Sequence, residues 1–178
     1  MECAIKIYPL EEKFLEQLTT RFTFPWTTRE QTLEKWKRYL EEHKSKSRHC
    51  FLLEVDNYLV GYGSLILPSN YPFFSSQNIP EIHDVWVDEN YRERGFATKL
   101  IQELESFARQ SGFIKIGIGV GLYKDYGSAQ KLYVNLGYVP DGNGITSHYQ
   151  IVKPGQEYVV DDDLVLWFVK PLINDPLL

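Results

Sequence analysis

Arg92, Arg94 and Gly95 stand together at the opening of an apolar-periodic run, and residues of these types in that place could hold an anion. The order is a strand ending at Val87, a short loop Asp88-Glu89-Asn90-Tyr91, then Arg92-Glu93-Arg94-Gly95-Phe96-Ala97-Thr98 at a helix start. The first backbone N–H groups of a helix lack partners and its dipole is positive there, so a phosphate is attracted. Gly95 and the small Ala97 let it approach the main chain closely, and the two guanidinium groups add charge. A plain helix start with solvated arginines has the same spacing. There is no Gly-x-x-x-x-Gly-Lys-Ser/Thr loop, and Gly117, Gly119 and Gly121 precede no dinucleotide-type helix start. Just upstream, Glu81, His83 and Asp84 can each take a proton. Strand alternation puts Glu81 and His83 on one face and Asp84 on the other, unless the strand is bulged.

The elements that must position these groups can be read from periodicity. Ala4 to Tyr8 alternates as a first strand, stopped by Pro9. Glu11 to Thr20 has helical spacing, and Thr28 can cap a helix carrying Leu33, Trp36, Tyr39 and Leu40 on one stripe. Lys44 to Arg48 reads as a solvated helix end. Cys50 to Val55 and Tyr58 to Leu67 flank Asp56-Asn57 as a hairpin. Pro68 to Gln77 reads as a loop into the strand Ile79 to Val87. A helix from about Arg94 to Ser111, with Phe96, Leu100, Ile101, Leu104, Phe107 and Ala108 on its apolar face and stopped at Gly112, leads to a strand Phe113 to Gly119; strand, crossover helix and strand make a right-handed parallel pair. A last helix spans roughly Asp125 to Leu136, and Tyr138-Val139 and Leu164 to Val169 close the fold.

The bulk properties bound the rest. With 178 residues, 43% hydrophobic and 24% charged, the chain suits a single domain over 1–178. A formal charge of -5 lacks the basic excess of a nucleic-acid binder. No apolar run is long enough to cross a bilayer and no signal-type N-terminus is evident, so no membrane partner and a cytoplasmic location are expected. Cys3 and Cys50 are far apart and show no metal-ligand spacing with the four histidines, so both read as reduced thiols and no metal is expected.

Arg92-x-x-Gly95-x-Ala97 after Val85-x-Val87 resembles the Gln/Arg-x-x-Gly-x-Gly/Ala pyrophosphate loop of the GCN5-related N-acetyltransferase superfamily. Ala129-Gln130-Lys131-Leu132-Tyr133-Val134-Asn135-Leu136-Gly137-Tyr138 is similar to that superfamily's Ala-x-x-Leu-Tyr-x-x-x-Gly-Phe/Tyr helix. The pair stands in the expected order, covers Ile79 to Pro140, and agrees with the element order before it. The resemblance implies an α/β (α+β) fold: a mixed, mostly antiparallel six- to seven-stranded sheet with a splayed central parallel pair, flanked by about four helices. It implies acetyl-CoA as co-substrate, with its pyrophosphate on Arg92, Glu93, Arg94, Gly95, Phe96, Ala97 and Thr98. Its pantetheine arm would lie along the main chain of Val85, Trp86 and Val87. Tyr126 and Ala129 fall beside the coenzyme by the same motif, Tyr126 standing where many members carry an asparagine. Tyr133 matches the tyrosine that protonates the departing thiolate; its other reading is a core aromatic.

The implied reaction moves an acetyl group directly to a primary amine of a small molecule or peptide. A protonated amine cannot attack a thioester, so a base or water chain must take its proton while backbone N–H polarises the carbonyl. Glu81 coincides with the strand glutamate that serves histone-acetylating members as base; Asp84, His83 and an ordered water chain are the alternatives. Phe22 to Trp26 and Tyr71 to Phe74 would wall the acceptor site. Glu157 and Asp161-Asp162-Asp163 could attract a cationic amine, or form a solvated turn. Another acyl group, a hydroxyl acceptor, or a coenzyme A-binding regulatory domain without catalysis is each compatible with the same motifs, as is a homodimer.

Overall fold

The computed structural model describes residues 4–172, so Cys3 lies outside the described residues. The chain divides into two compact units, Met1–Ile66 with Asp84–Leu104, and Leu67–His83 with Glu105–Leu178. Eight strands follow one order in the sheet, β1-β2-β3-β4-β5-β8-β6-β7, and one strand and one helix run from unit to unit.

In the first unit, β1 (Ile5–Pro9) pairs antiparallel with β2 (Arg48–Val55), Ile5 opposite Val55, and β2 pairs antiparallel with β3 (Tyr58–Ile66). The hairpin turn follows from its residues: Asp56 and Asn57 take φ of 51° and 67°, the left-handed pair that a two-residue hairpin demands. Helix α1 spans Leu15–Arg21 and α2 Arg29–Lys44. Thr28 accepts from Gln31 N while the Gln31 side chain accepts from Thr28 N, a reciprocal cap that fixes where α2 starts. The inner faces bury Leu18, Phe22, Trp36, Tyr39 and Leu52 in one core. The basic stretch after α2 is not all solvated. Arg48 is buried, its guanidinium 2.5 Å from Glu42 and 3.9 Å from the Tyr39 ring centroid, because pairing and stacking compensate its desolvation.

Strand β4 (Glu81–Val87) and helix α4 (Phe96–Gln110) each contribute to both units. Helix α4 buries Phe96, Leu100, Ile101, Leu104 and Ala108, the stripe expected from the sequence, and ends at Gly112 with φ 87°. In the second unit, β4 pairs in parallel with β5 (Lys115–Gly121) over Glu81↔Gly117 and Ile82↔Ile118. Strand β8 (Leu164–Pro171) lies antiparallel to β5 and to β6 (Val139–Ser147), and β6 to the short β7 (Gln150–Ile151). That hairpin raises the strand number above six or seven. Helix α3 (Pro72–Ser76) stands where the sequence predicts a loop. Pro72 is pre-set for the first helical turn, and Phe74, fully buried against Tyr71 and Trp167, drives the segment inward. With α5 (Gly127–Asn135) there are five α-helices among the described residues. Buried Glu105 of α4 accepts from Tyr138 Oη and from Lys170 Nζ, each at 2.9 Å, so its charge is paired.

Candidate active site

The loop from Arg92 to Thr98, the candidate anion site, belongs to the first unit. Strand β4 ends at Val87, and Asp88 anchors the turn beyond it: its N–H donates to Val60 O at 2.8 Å, and its Oδ1 accepts from Asn90 N at 2.9 Å. Its Oδ2 lies 2.6 Å from Arg21 Nη2. A single 3-10 turn, Glu89–Tyr91, then leads to Arg92, whose Nε donates back to Val87 O at 2.9 Å. The Arg94 guanidinium lies 5.6 Å from the Tyr91 ring centroid. Glu93 and Gly95 are both left-handed, φ 61° and 79°, directly before α4 begins at Phe96. A left-handed residue beside a right-handed one can turn successive N–H groups toward one concavity, as in an anion nest. At Gly95 a Cβ would find no protein atom within 4 Å. Internal packing therefore does not require glycine there; its left-handed backbone conformation does. Phe96 is buried and pins the loop, Ala97 and Thr98 are half-buried, and Arg92, Glu93 and Arg94 are exposed.

Also in the first unit, Asp84 has φ 54° inside β4. A left-handed residue within a strand marks a bulge, so simple alternation does not carry through it. The Asp84 carboxylate is held by Lys35 and Tyr39. Trp86 packs its ring near Phe22, Phe24 and Tyr62, with centroids 5.2, 5.6 and 6.0 Å away. Val85 and Val87 lie beside Gly63 and Gly61 of β3, on the side where Leu104 and Leu100 of α4 approach. Val85, Trp86 and Val87 lie outside the Glu81–Ile82 parallel ladder.

The second unit carries the other candidates. Glu81 is 3% exposed, and its Oε2 accepts from Ser69 Oγ at 2.5 Å. Ser69 Oγ in turn accepts from Tyr71 N at 3.0 Å, which fixes the carboxylate against the start of α3. The Tyr71 ring stacks on Trp167 at 4.3 Å, and its hydroxyl donates to Asp141 at 2.9 Å. Tyr149, left-handed at φ 64° in the β6–β7 turn, is pushed up by burial and by the Glu81 carboxylate. His83 is half-buried. Tyr133 sits on α5, buried, and among the described residues its hydroxyl takes no hydrogen-bond partner. Burial pushes its phenol up to about 12, so it is a neutral proton donor over the physiological range. Gln130 Nε2 donates to Gly121 O at 2.8 Å and so fixes α5 beside the end of β5; Ala129 is half-buried on the same helix. Tyr126 does not replace an asparagine amide in kind: its hydroxyl donates to Asp162 at 2.9 Å and its ring fills the space beside Gly121. Asp162 also accepts from Tyr123, so the acidic turn is partly bonded to tyrosines.

Sequence reasoning misses Ser69 and Tyr149 around Glu81, and Lys35 and Tyr39 around Asp84. Only the last pair leaves a signal, since Lys35 and Tyr39 are four apart on a capped helix and must share a face. Among the described residues no group of three His, Cys, Asp or Glu side chains could hold a metal, and no helix is long and apolar enough to cross a membrane.

A sequence model described as the acetyltransferase (GNAT) family matches residues 11–138. Among solved structures, the chain is similar to an N-acetyltransferase from Staphylococcus aureus Mu50, with 18% identity, 96% of this chain and 99% of that one covered, and a TM-score of 0.68. It is similar at 14% identity, with 94% of each chain covered and a TM-score of 0.68, to the acetyl transferase of Salmonella typhimurium that modifies the N-terminal serine of ribosomal protein L7/L12. An aminoglycoside 6'-N-acetyltransferase complexed with coenzyme A matches at 18% identity, 96% and 99% coverage and a TM-score of 0.66. Comparison with curated proteins returns no match.

Proposed function

Because the chain belongs to the acetyltransferase (GNAT) family, we propose that it transfers an acetyl group from acetyl-CoA directly to a primary amine of a small molecule or peptide. The observation that carries this reading is the loop before α4, where Glu93 and Gly95 are left-handed and the space at Gly95 is open. The main chain of Arg92 to Thr98 would hold the coenzyme's diphosphate, with Arg92 and Arg94 adding charge, and Val85 to Val87 would meet the pantetheine arm. Tyr126 and Ala129 would border the same ligand. Acetyl-CoA supplies an activated acetyl group as a thioester. Glu81 takes the proton from the attacking amine, and Tyr133 Oη holds a proton for the departing sulfur. That coenzyme-bound relatives share the fold supports the donor, and that relatives named for protein and aminoglycoside substrates share it supports an amine acceptor. A single domain over 1–178 is part of the same reading. A cytoplasmic enzyme that works without metal, nucleic acid or membrane, alone or as a homodimer, is the setting this reading implies.

Calorimetry with two donors tests the coenzyme assignment. Acetyl-CoA should bind at least about ten-fold more tightly than an acetyl-pantetheine thioester lacking the nucleotide diphosphate, since each charge-assisted phosphate hydrogen bond contributes roughly 1.5–3 kcal/mol. Equal affinities would remove the loop from the coenzyme site. A screen of thiol release across polyamines, aminoglycosides, amino acids and peptide N-termini identifies the acceptor, and release with a hydroxyl compound alone would redirect the assignment.

Gly95→Val probes the same loop from the protein side. An L-residue at φ 79° costs on the order of 1–2 kcal/mol, and its branched side chain would occupy the space left for the ligand. The Michaelis constant for acetyl-CoA should rise by at least about ten-fold while the unfolding midpoint falls only by a few degrees. An unchanged constant would give the loop another role.

A further inference from the structure

Asp84 is left-handed in the middle of β4, a strained conformation for a non-glycine residue that persists only where its surroundings hold it. The hold comes from α2. Lys35 Nζ lies 2.8 Å from Asp84 Oδ2, and Tyr39 Oη donates to the same oxygen at 2.8 Å. Lys35 also donates to Tyr62 Oη on β3 at 2.9 Å, and its ammonium lies 4.8 Å from the Tyr62 centroid and 5.3 Å from that of Tyr39. Its side chain is 26% exposed, so these attractions act with reduced solvent screening. Burial, and next the Asp84 carboxylate, push the Tyr39 phenol up, so it stays a donor at every working pH. From the other side β3 makes room. A Cβ at Gly61 would stand 2.7 Å from Trp86 O, so the main chain just beyond Asp84 lies where only glycine admits it.

We propose that Lys35 and Tyr39 are positioning residues, whose joint hold on Asp84 keeps β4 bulged and thereby sets the main chain of Val85 to Val87. The inference rests on the acetyl-CoA reading for the ligand of that stretch and adds the device that shapes it. Asp84 is then the anchor of a backbone conformation, and the proton-accepting role stays with Glu81. Without the hold, Asp84 returns to an extended conformation, and the alternation from Val85 onward slips by one residue. Trp86 would leave the Phe22, Phe24 and Tyr62 rings, and the main-chain groups offered to a pantetheine arm would change places.

Two measurements on the full chain test this together: calorimetric binding of acetyl-CoA, and fluorine NMR of protein labelled with fluorotryptophan, the Trp86 resonance being assigned by Trp86→Phe. Lys35→Met keeps the aliphatic stem and removes the ammonium. It should shift the Trp86 resonance and weaken acetyl-CoA binding about ten-fold. Adding Asp84→Gly, which makes the left-handed backbone available without a clamp, should return the resonance and bring affinity to within about three-fold of the unsubstituted chain. Tyr39→Phe removes one donor at nearly constant volume, should act in the same direction more weakly, and serves if Lys35→Met does not fold. An unmoved Trp86 resonance in both variants overturns the clamp. A double variant that stays as weak as Lys35→Met also overturns it, because charge and not backbone would then be the cause. If the unsubstituted chain binds no acetyl-CoA while the Trp86 resonance moves and returns as described, the coenzyme reading fails and the clamp stands.

Discussion

Glu81→Gln should lower the turnover number by about 10²–10⁴-fold and erase the acidic limb of the pH–rate profile. Only an ionised carboxylate can take a proton, so with Glu81 as base the rate should fall toward acid pH, whereas an amide does not titrate. The substitution is nearly isosteric, and a carbonyl oxygen can still accept from Ser69 Oγ, so the buried site keeps its packing. Steady-state rates from pH 5 to 9 check it, with Asp84→Asn and His83→Gln alongside. A Glu81→Gln enzyme that keeps the limb while His83→Gln or Asp84→Asn loses it would move the role to that residue. If all three keep it, an ordered water chain is the base.

Tyr133→Phe should slow acetyl transfer by about 10²-fold and leave acetyl-CoA affinity near normal, because it removes a proton donor and little volume. Tyr133 loses its proton only as pH rises toward about 12, so it is fully protonated where the enzyme works and sets no alkaline limb near neutrality. The discriminating control is a thioester whose leaving thiol is already acidic, which needs little help in departing. If Tyr133→Phe slows that substrate and acetyl-CoA equally, the hydroxyl is no general acid and Tyr133 is a packing residue of α5.

How much is legible in the sequence depends on the range over which each signal acts. The Asp56-Asn57 turn, the Thr28 cap, the α4 stripe and the glycines that end α4 and α5 are local chemistry, and each stands where its residues put it. So does the loop from Arg92 to Thr98, whose motif is a run of six. Helix α3 escapes a local reading because Phe74 is drawn in by Trp167, which lies far along the chain. Arg48 looks solvated in sequence because Glu42 and Tyr39 neutralise its burial only once α2 lies on β2. The bulge at Asp84 is a matter of the same kind: its anchors lie on another element, and strand alternation alone predicts a face and not a left-handed residue.

Cys50 contributes no chemistry to the site, yet it decides how the enzyme can be assayed and watched. It is wholly buried, and burial pushes its thiol well above the ordinary thiol range, so near pH 8 it stays in the unreactive thiol form. A disulfide reagent reporting released coenzyme A will thus read little background from this thiol in the native protein. In a Cys3→Ser background, a maleimide can reach Cys50 only when the packing of α2 on β2 opens, and the rate of its labelling becomes a clock for that opening.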